Sequence, residues 1–171
     1  MPHYRLRGKS SKLRYLISRG IMPTLATNKK GLHDYSVIED FEAGLVLTGA
    51  EVKSVKAGQI NLKGSYISID GQNEAWLIGA HVSAYKPAAG RQKDYQPNRQ
   101  RKLILHRREI DYLRGREREK GLTIMPISVY TKGSLIKVKL ALVKGKKKKD
   151  KREIIKKRQI DREIRGRMKR M

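Results

Sequence analysis

Glu39, Asp40 and Glu42 stand close together in the chain, and three carboxylates at such spacing could share a divalent ion and serve a metal-dependent nuclease. A solvated turn between two strands accounts for the same spacing. The stretch Gly44-Leu45-Val46-Leu47-Thr48-Gly49 opens like a phosphate-binding loop. Ala50-Glu51 then stands where a Lys-Ser/Thr pair would hold phosphate and magnesium, so the motif fails. His3, His33, His81 and His106 are scattered, with no i, i+4 pair around a Glu. The chain has no cysteine, which excludes disulfides, thiolate nucleophiles and Cys-based zinc sites. No nucleophile with its base can be picked out, and no cofactor is implied. The residues therefore point away from an enzyme.

The basic residues carry more chemistry. Lys146-Lys147-Lys148-Lys149 follows Gly145 as a tether able to track phosphates, although such a run also fits a simply solvated segment. Arg99, Arg101 and Lys102 precede the apolar trio Leu103-Ile104-Leu105, and His106, Arg107 and Arg108 follow it. This groups cationic and planar side chains at one edge of a body, where they can meet phosphates and stack on unpaired bases. Aromatic residues make up only 6% of the chain, which disfavours a single-strand stacking platform. A folded RNA read by shape and phosphate contacts fits better.

Net charge supports a polyanionic partner. The 171 residues hold 41 Lys and Arg against 16 Asp and Glu, a formal +25. Like charge at this density repels itself in a compact domain, and nucleic acid is its usual counterpart, with an acidic membrane surface second. The distribution is uneven: residues 1–31 carry +8, residues 144–171 carry +11, and the 112 residues between them only +6. That is a moderately charged body with basic arms. No apolar run approaches the roughly eighteen residues a membrane span needs, and Arg14 and Arg19 interrupt the apolar stretch 13–21.

The elements that must position these groups follow from periodicity. Alternation predicts strands at Tyr35-Ser36-Val37-Ile38 and Gly44-Leu45-Val46-Leu47, then a short helix over 49–56 with Val52 and Val55 on one face and Gly58 beyond its end. Ser65-Tyr66-Ile67-Ser68-Ile69 reads as a strand turning at Asp70-Gly71 into a returning strand over 74–82. Residues 86–100 read as a long loop, 103–105 as a short buried strand, and 107–120 as a helix capped by Gly121. Strands over 123–130 and 135–143 join at Lys132-Gly133, the second with Ile136, Val138, Leu140 and Leu142 facing one way. About six short strands and two helices in a single small domain favour a mostly β fold, an antiparallel barrel of the oligonucleotide-binding type with short flanking helices.

The sequence divides into a basic N-terminal extension over 1–27, a body over 28–145 and a basic tail over 146–171. The extension, rich in Arg, Lys and Ser and free of acids, suggests a start of translation at Met22. An organellar transit peptide and an additional RNA-binding arm are the other readings. In the tail Ile160, Ile164 and Met168 fall at i, i+4, i+8, too narrow a stripe to dock a helix of that length. The tail is expected to be disordered when free and helical when bound.

Several stretches resemble one family, the small protein B family of transfer-messenger (SsrA) RNA-binding proteins that act in bacterial trans-translation. They are Asn28-Lys29-Lys30, His33-Asp34-Tyr35, Phe41-Glu42-Ala43-Gly44, Gly49-Ala50-Glu51-Val52-Lys53-Ser54, Ala57-Gly58, Arg101-Lys102-Leu103-Ile104-Leu105-His106, and Lys144-Gly145-Lys146-Lys147 leading into Asp150-Lys151-Arg152-Glu153. Their order and spacing, from Asn28 to the end, carry the resemblance rather than any one of them.

The resemblance implies an oligonucleotide-binding-like barrel that holds the tRNA-like domain of transfer-messenger RNA near its elbow. Family residues that contact this RNA fall on His33, Glu42, Ile104, His106 and Lys137, with Arg101 and Lys102 beside them. For Ile104 core burial is an equal reading, and for Glu42 a solvated strand end. The resemblance further implies a tail that enters the empty messenger channel of a stalled small ribosomal subunit near its decoding site. Gly145, Lys146, Lys147, Lys149, Asp150, Lys151, Arg152 and Met168 would make those contacts. The family usually has Tyr or His before Asp-Lys-Arg; here Lys149 stands there, so a phosphate contact or a neighbouring side chain must replace the stack. Elongation factor Tu is implied through the RNA complex, as are a monomeric state and a cytoplasmic location. A general basic RNA-binding barrel without this partner is the alternative.

Overall fold

The computed structural model describes residues 23–87 and 94–146. The first elements are strand β1 (Thr24–Thr27), helix α1 (Lys29–Asp34), strand β2 (Tyr35–Leu45) and helix α2 (Gly49–Lys56). Short strands follow: β3 (Ile60–Asn61), β4 (Tyr66–Ile69), β5 (Ala75–Ile78), β6 (His81–Val82) and β7 (Arg101–Ile104). Helix α3 (Arg107–Glu117) and the long strands β8 (Leu122–Lys132) and β9 (Leu135–Gly145) complete the body.

Six of these strands close into an antiparallel ring in the order β8-β4-β5-β7-β2-β9 and back to β8. Closure removes the unpaired edges an open sheet would present. Its interior is filled by the predicted alternation on β9, where Ile136, Val138, Leu140 and Leu142 are all buried, together with Leu77, Leu103 and Ile124. Bulges between Val37 and Glu39 and between Pro126 and Ser128 interrupt the two long pairings. Such irregularities bend strands and raise their twist, as a small barrel requires.

The structure corrects the sequence reading in several places. The two strands expected on either side of residues 39–43 are one continuous strand, β2, so Glu39, Asp40 and Glu42 are strand residues and not a turn. The returning strand breaks at Gly79, whose φ of 74° suits glycine. Beyond it, β6 pairs with β3 in a separate two-stranded sheet. The folded body reaches back before Asn28, because β1 pairs with β8 through Thr24–Tyr130 and Thr27–Ser128.

Helix α1 was not foreseen, and it explains why Ala141 and Val143 are buried on the nominally outer face of β9. They form a second cluster with Met125, packed by Tyr35 and Ile127. The helix settles on this cluster at Gly31, where an added Cβ would lie 1.9 Å from the Met125 methyl carbon. Asn28 begins it, accepting from the Gly31 N–H at 3.0 Å and donating to the Pro126 carbonyl at 3.1 Å.

Helix α2 has the predicted bounds. Thr48 caps it, and Glu51 returns a bond to the Thr48 N–H at 2.9 Å. Glu51 is fully buried and also receives Arg99 Nε at 2.9 Å and Arg101 Nε at 3.0 Å. Burial pushes its carboxyl pKa up, but the bonds from Arg99, Thr48 and Arg101 outweigh burial and hold it at about 2. A folded-state value below the unfolded one stabilises the fold fully above the ordinary carboxylate range, and this stabilisation fades as pH falls through the folded value. Thermal melts should show a midpoint that Glu51 makes no more pH-dependent above pH ~5, and a decline between about pH 4.5 and 2 that Glu51→Gln flattens. The same slope in both proteins would assign acid unfolding to other groups.

Candidate nucleic-acid interface

Three neighbouring strands build a polar cluster on the outer surface of the barrel. Register places Gly44 of β2 opposite Lys137 of β9, and Lys137 opposite Tyr130 of β8. Glu42, Tyr130, Lys132 and Lys137 therefore share one outward face. The Tyr130 hydroxyl donates to one Glu42 oxygen, while Lys132 and Lys137 ammonium groups lie 3.3 and 3.4 Å from the other. The Tyr130 bond leads in lowering the Glu42 carboxyl pKa against partial burial, with both lysines helping. Burial and the same carboxylate push the Tyr130 phenol far up, so it remains a donor. Glu42 is thus a fixed, ionised acceptor at neutral pH.

Beside this cluster lies an open cavity of about 460 Å³ lined by Glu42, Gly44, Ile104, His106, Leu135 and Lys137, among others. Ile104 is 63% and Leu135 61% exposed, an unusual state for large aliphatic residues on a small body. Pairing of β2 with β7 sets Ile104 opposite Gly44, so core burial is ruled out for Ile104. His106 is exposed at the start of α3, and its backbone N–H donates to Glu109 at 2.9 Å. The pocket rim thus carries an acceptor for base amino or imino groups, the Lys137 cation, two apolar faces and an imidazole, with Lys132 beside it. This is a set that can read folded RNA.

Glu42, Ile104, His106 and Lys137 are the four sequence-predicted residues that the structure brings together. Lys102 lies on the same outer face of β7 as Ile104, paired with Glu74. Arg101 differs from expectation. Its side chain is wholly buried, and besides Glu51 it bonds the Ala80, Arg99 and Pro97 carbonyls at 2.9, 2.9 and 2.8 Å. It faces inward with Leu103 and leaves no surface for RNA. His33, at the end of α1 with its Nδ1 3.1 Å from Asp34, is not brought into the cavity. It precedes the first residue of β2, and Glu42 stands seven residues along, roughly 23 Å of extended strand.

Gly145 and Lys146 belong to the body and not to a free tail. Gly145 pairs with Tyr35; the Lys146 N–H donates to the Asp34 carbonyl at 3.0 Å, and its ammonium bonds the His33 carbonyl at 3.1 Å. Lys147, Lys149, Asp150, Lys151, Arg152 and Met168 lie outside the described residues, as do 1–22. Tyr130, Lys132 and Leu135 were missed. The signal for the first two was available, because Val129 and Thr131 point inward and so turn their neighbours outward.

Among the described residues no group of three His, Cys, Asp or Glu is placed to hold a metal ion. Asp40 instead pairs with Lys139 at 2.7 Å, and Glu39 stands close enough to Tyr112 to push its phenol pKa up. Likewise, no helix among these residues is long and apolar enough to cross a membrane.

The family model described as SmpB protein matches residues 25–170. The chain belongs to the SmpB family. An SsrA-binding protein of Sulfurihydrogenibium sp. (strain YO3AOP1) is 51% identical over 140 residues, covering 82% of this chain and 90% of its own. The SsrA-binding protein of Coxiella burnetii (strain Dugway 5J108-111) is also 51% identical, covering 82% and 87%. One solved chain, described as "tmRNA-SmpB: a journey to the center of the bacterial ribosome", aligns with a TM-score of 0.60 at 34% identity, covering 76% of this chain and 93% of that one. The SmpB match begins inside β1, consistent with that strand belonging to the body.

Proposed function

We propose that this SmpB-family chain is a non-enzymatic adaptor that binds the tRNA-like domain of transfer-messenger RNA and delivers it to stalled ribosomes for trans-translation. The observation that carries the RNA reading is the ionised, three-donor Glu42 beside the exposed Ile104 and Leu135. A generic phosphate binder has no use for a carboxylate at the centre of its basic face. A base-reading surface does, because a carboxylate repels phosphate while accepting from exocyclic amines. The names of the relatives, SsrA-binding proteins, and of the solved complex support the choice of RNA.

The basic tail would enter the messenger channel beyond the decoding site, and elongation factor Tu would join through the RNA. The adaptor would work as a monomer in the cytoplasm. The test is a gel-shift titration at about 150 mM salt, where non-specific phosphate binding is weak, of the tRNA-like domain against a control tRNA. Selective binding is expected, with Glu42→Gln losing about 5- to 100-fold for the tRNA-like domain and little for the control. Equal, salt-sensitive binding to both RNAs would leave only a general basic RNA binder.

A further inference from the structure

The three donors that hold Glu42 are unlike one another in reach, charge and exposure. Glu42 lies on β2 and Tyr130 on β8, with β9 running between them. Register sets Glu42 opposite Lys139 and Tyr130 opposite Lys137. The Tyr130 side chain therefore reaches over β9 to a strand two places away, a gap of roughly 10 Å. Its hydroxyl ends on Glu42 Oε2, whereas Lys132 and Lys137 both approach Oε1.

The two lysine contacts are loose. At 3.3 and 3.4 Å they are longer than a well-formed N–H···O bond of about 2.7–3.2 Å. The Lys132 side chain is 53% and that of Glu42 38% exposed, and ion pairs so open to water hold weakly. Both ammonium groups are thus free to turn to an arriving phosphate. Tyr130 differs on each count. It is half-buried, and its hydroxyl carries no charge for a phosphate to draw away. Burial and the neighbouring carboxylate push its phenol pKa up, so it stays a donor. An ionised carboxylate offers about four lone-pair sites. With one taken by Tyr130, the others are left for a base once the lysines have moved. Without that bond, Glu42 would swing away from the phosphates its lysines had taken, because like charges repel. The face would keep its cations and apolar side chains but lose its aimed acceptor.

We infer that Tyr130 is a positioning residue for RNA selectivity: its hydroxyl keeps Glu42 aimed at a base while Lys132 and Lys137 pass to the phosphate backbone. Tyr130 need not touch the RNA. This role rests on the reading of Glu42 as the base acceptor. A bond spanning three strands also fits a simple staple for the barrel, and a double-mutant cycle separates the two.

The full-length protein is titrated with the tRNA-like domain and with a control tRNA at about 150 mM salt, as wild type, Tyr130→Phe, Glu42→Gln and the double variant. Thermal melts of all four keep the titrations well below unfolding. Tyr130→Phe removes one oxygen and keeps the ring. It should lower discrimination between the RNAs by about 5- to 20-fold, somewhat less than a direct bond to a charged group supplies, with control tRNA binding little changed. In the Glu42→Gln background the same substitution should cost no more than about twofold further, because no carboxylate is left to aim. Wild-type discrimination in Tyr130→Phe, with Glu42→Gln losing it, overturns the role of Tyr130 alone. So do equal losses for both RNAs, or losses that multiply in the double variant, as a staple would give. If Glu42→Gln leaves discrimination intact, the base-acceptor reading itself falls, and the role of Tyr130 with it.

Discussion

Glu51→Ala is expected to lower the stability of the body by about 3–5 kcal/mol, the cost of leaving a buried cation without its partner. Arg101 has no exposed surface, and truncating Glu51 leaves it with neutral partners alone, three carbonyl oxygens and the Tyr95 hydroxyl. A neutral dipole cannot neutralise a guanidinium. The same substitution removes the acceptor that holds Arg99 and deletes half of the Thr48 capping pair, so three tethers fail together. Arg99 and Tyr95 anchor the end of the loop that precedes β7, the strand that carries Ile104. The thermal midpoint should fall by on the order of 10–20 °C, with a parallel loss in denaturant midpoint. Selective RNA binding below the transition should survive, because Glu42, Lys137 and His106 lie on other elements. A loss under about 1 kcal/mol would mean that Arg101 is hydrated in solution.

How far the sequence could be read depends on which forces acted. The interior of the ring was legible because one-sided burial imposes a period of two, as in Ile136, Val138, Leu140 and Leu142. Helix α2 was legible over 49–56 because Val52 and Val55 share a face and Gly58 marks its end, signals local in the chain. Helix α1 was not: six residues with one glycine have weak intrinsic helicity. It forms because Asn28 is tied to β8 and Gly31 fits over Met125, contacts about a hundred residues away in sequence. β2 was read as two strands because Glu39, Asp40 and Glu42 look like a turn, whereas pairing across to Lys139 and Lys137 makes charges acceptable on an outward face.

The candidate site was partly legible for the same reason. Arg101 and Lys102 are adjacent and chemically alike, yet strand alternation sends one into the barrel and the other out. Only the presence of Glu51, fifty positions earlier, decides that a guanidinium can be the inward one. Ile104, by contrast, has the composition of a core residue and the position of a surface one. Resemblance to the family identified it as a contact, and alternation after Leu103 would have placed it outside.

Cutting the chain after Lys146 should abolish peptide tagging on stalled ribosomes while selective binding of the tRNA-like domain stays within a few-fold. The cut belongs after Lys146 and not after Gly145, since Lys146 closes the C-terminal end of α1 through its N–H and its ammonium. Removing it would confound loss of the tail with loosening of the helix. The segment lost, 147–171, holds 13 basic and 4 acidic residues, so its removal takes away phosphate contacts without touching the Glu42 cavity. Non-specific affinity for RNA should therefore fall and its dependence on salt become shallower, while discrimination between the tRNA-like domain and a control tRNA holds. That pattern separates base reading by the body from channel entry by the tail. If the truncated protein instead loses discrimination, the tail takes part in recognising the RNA, and the division of labour between body and tail is wrong.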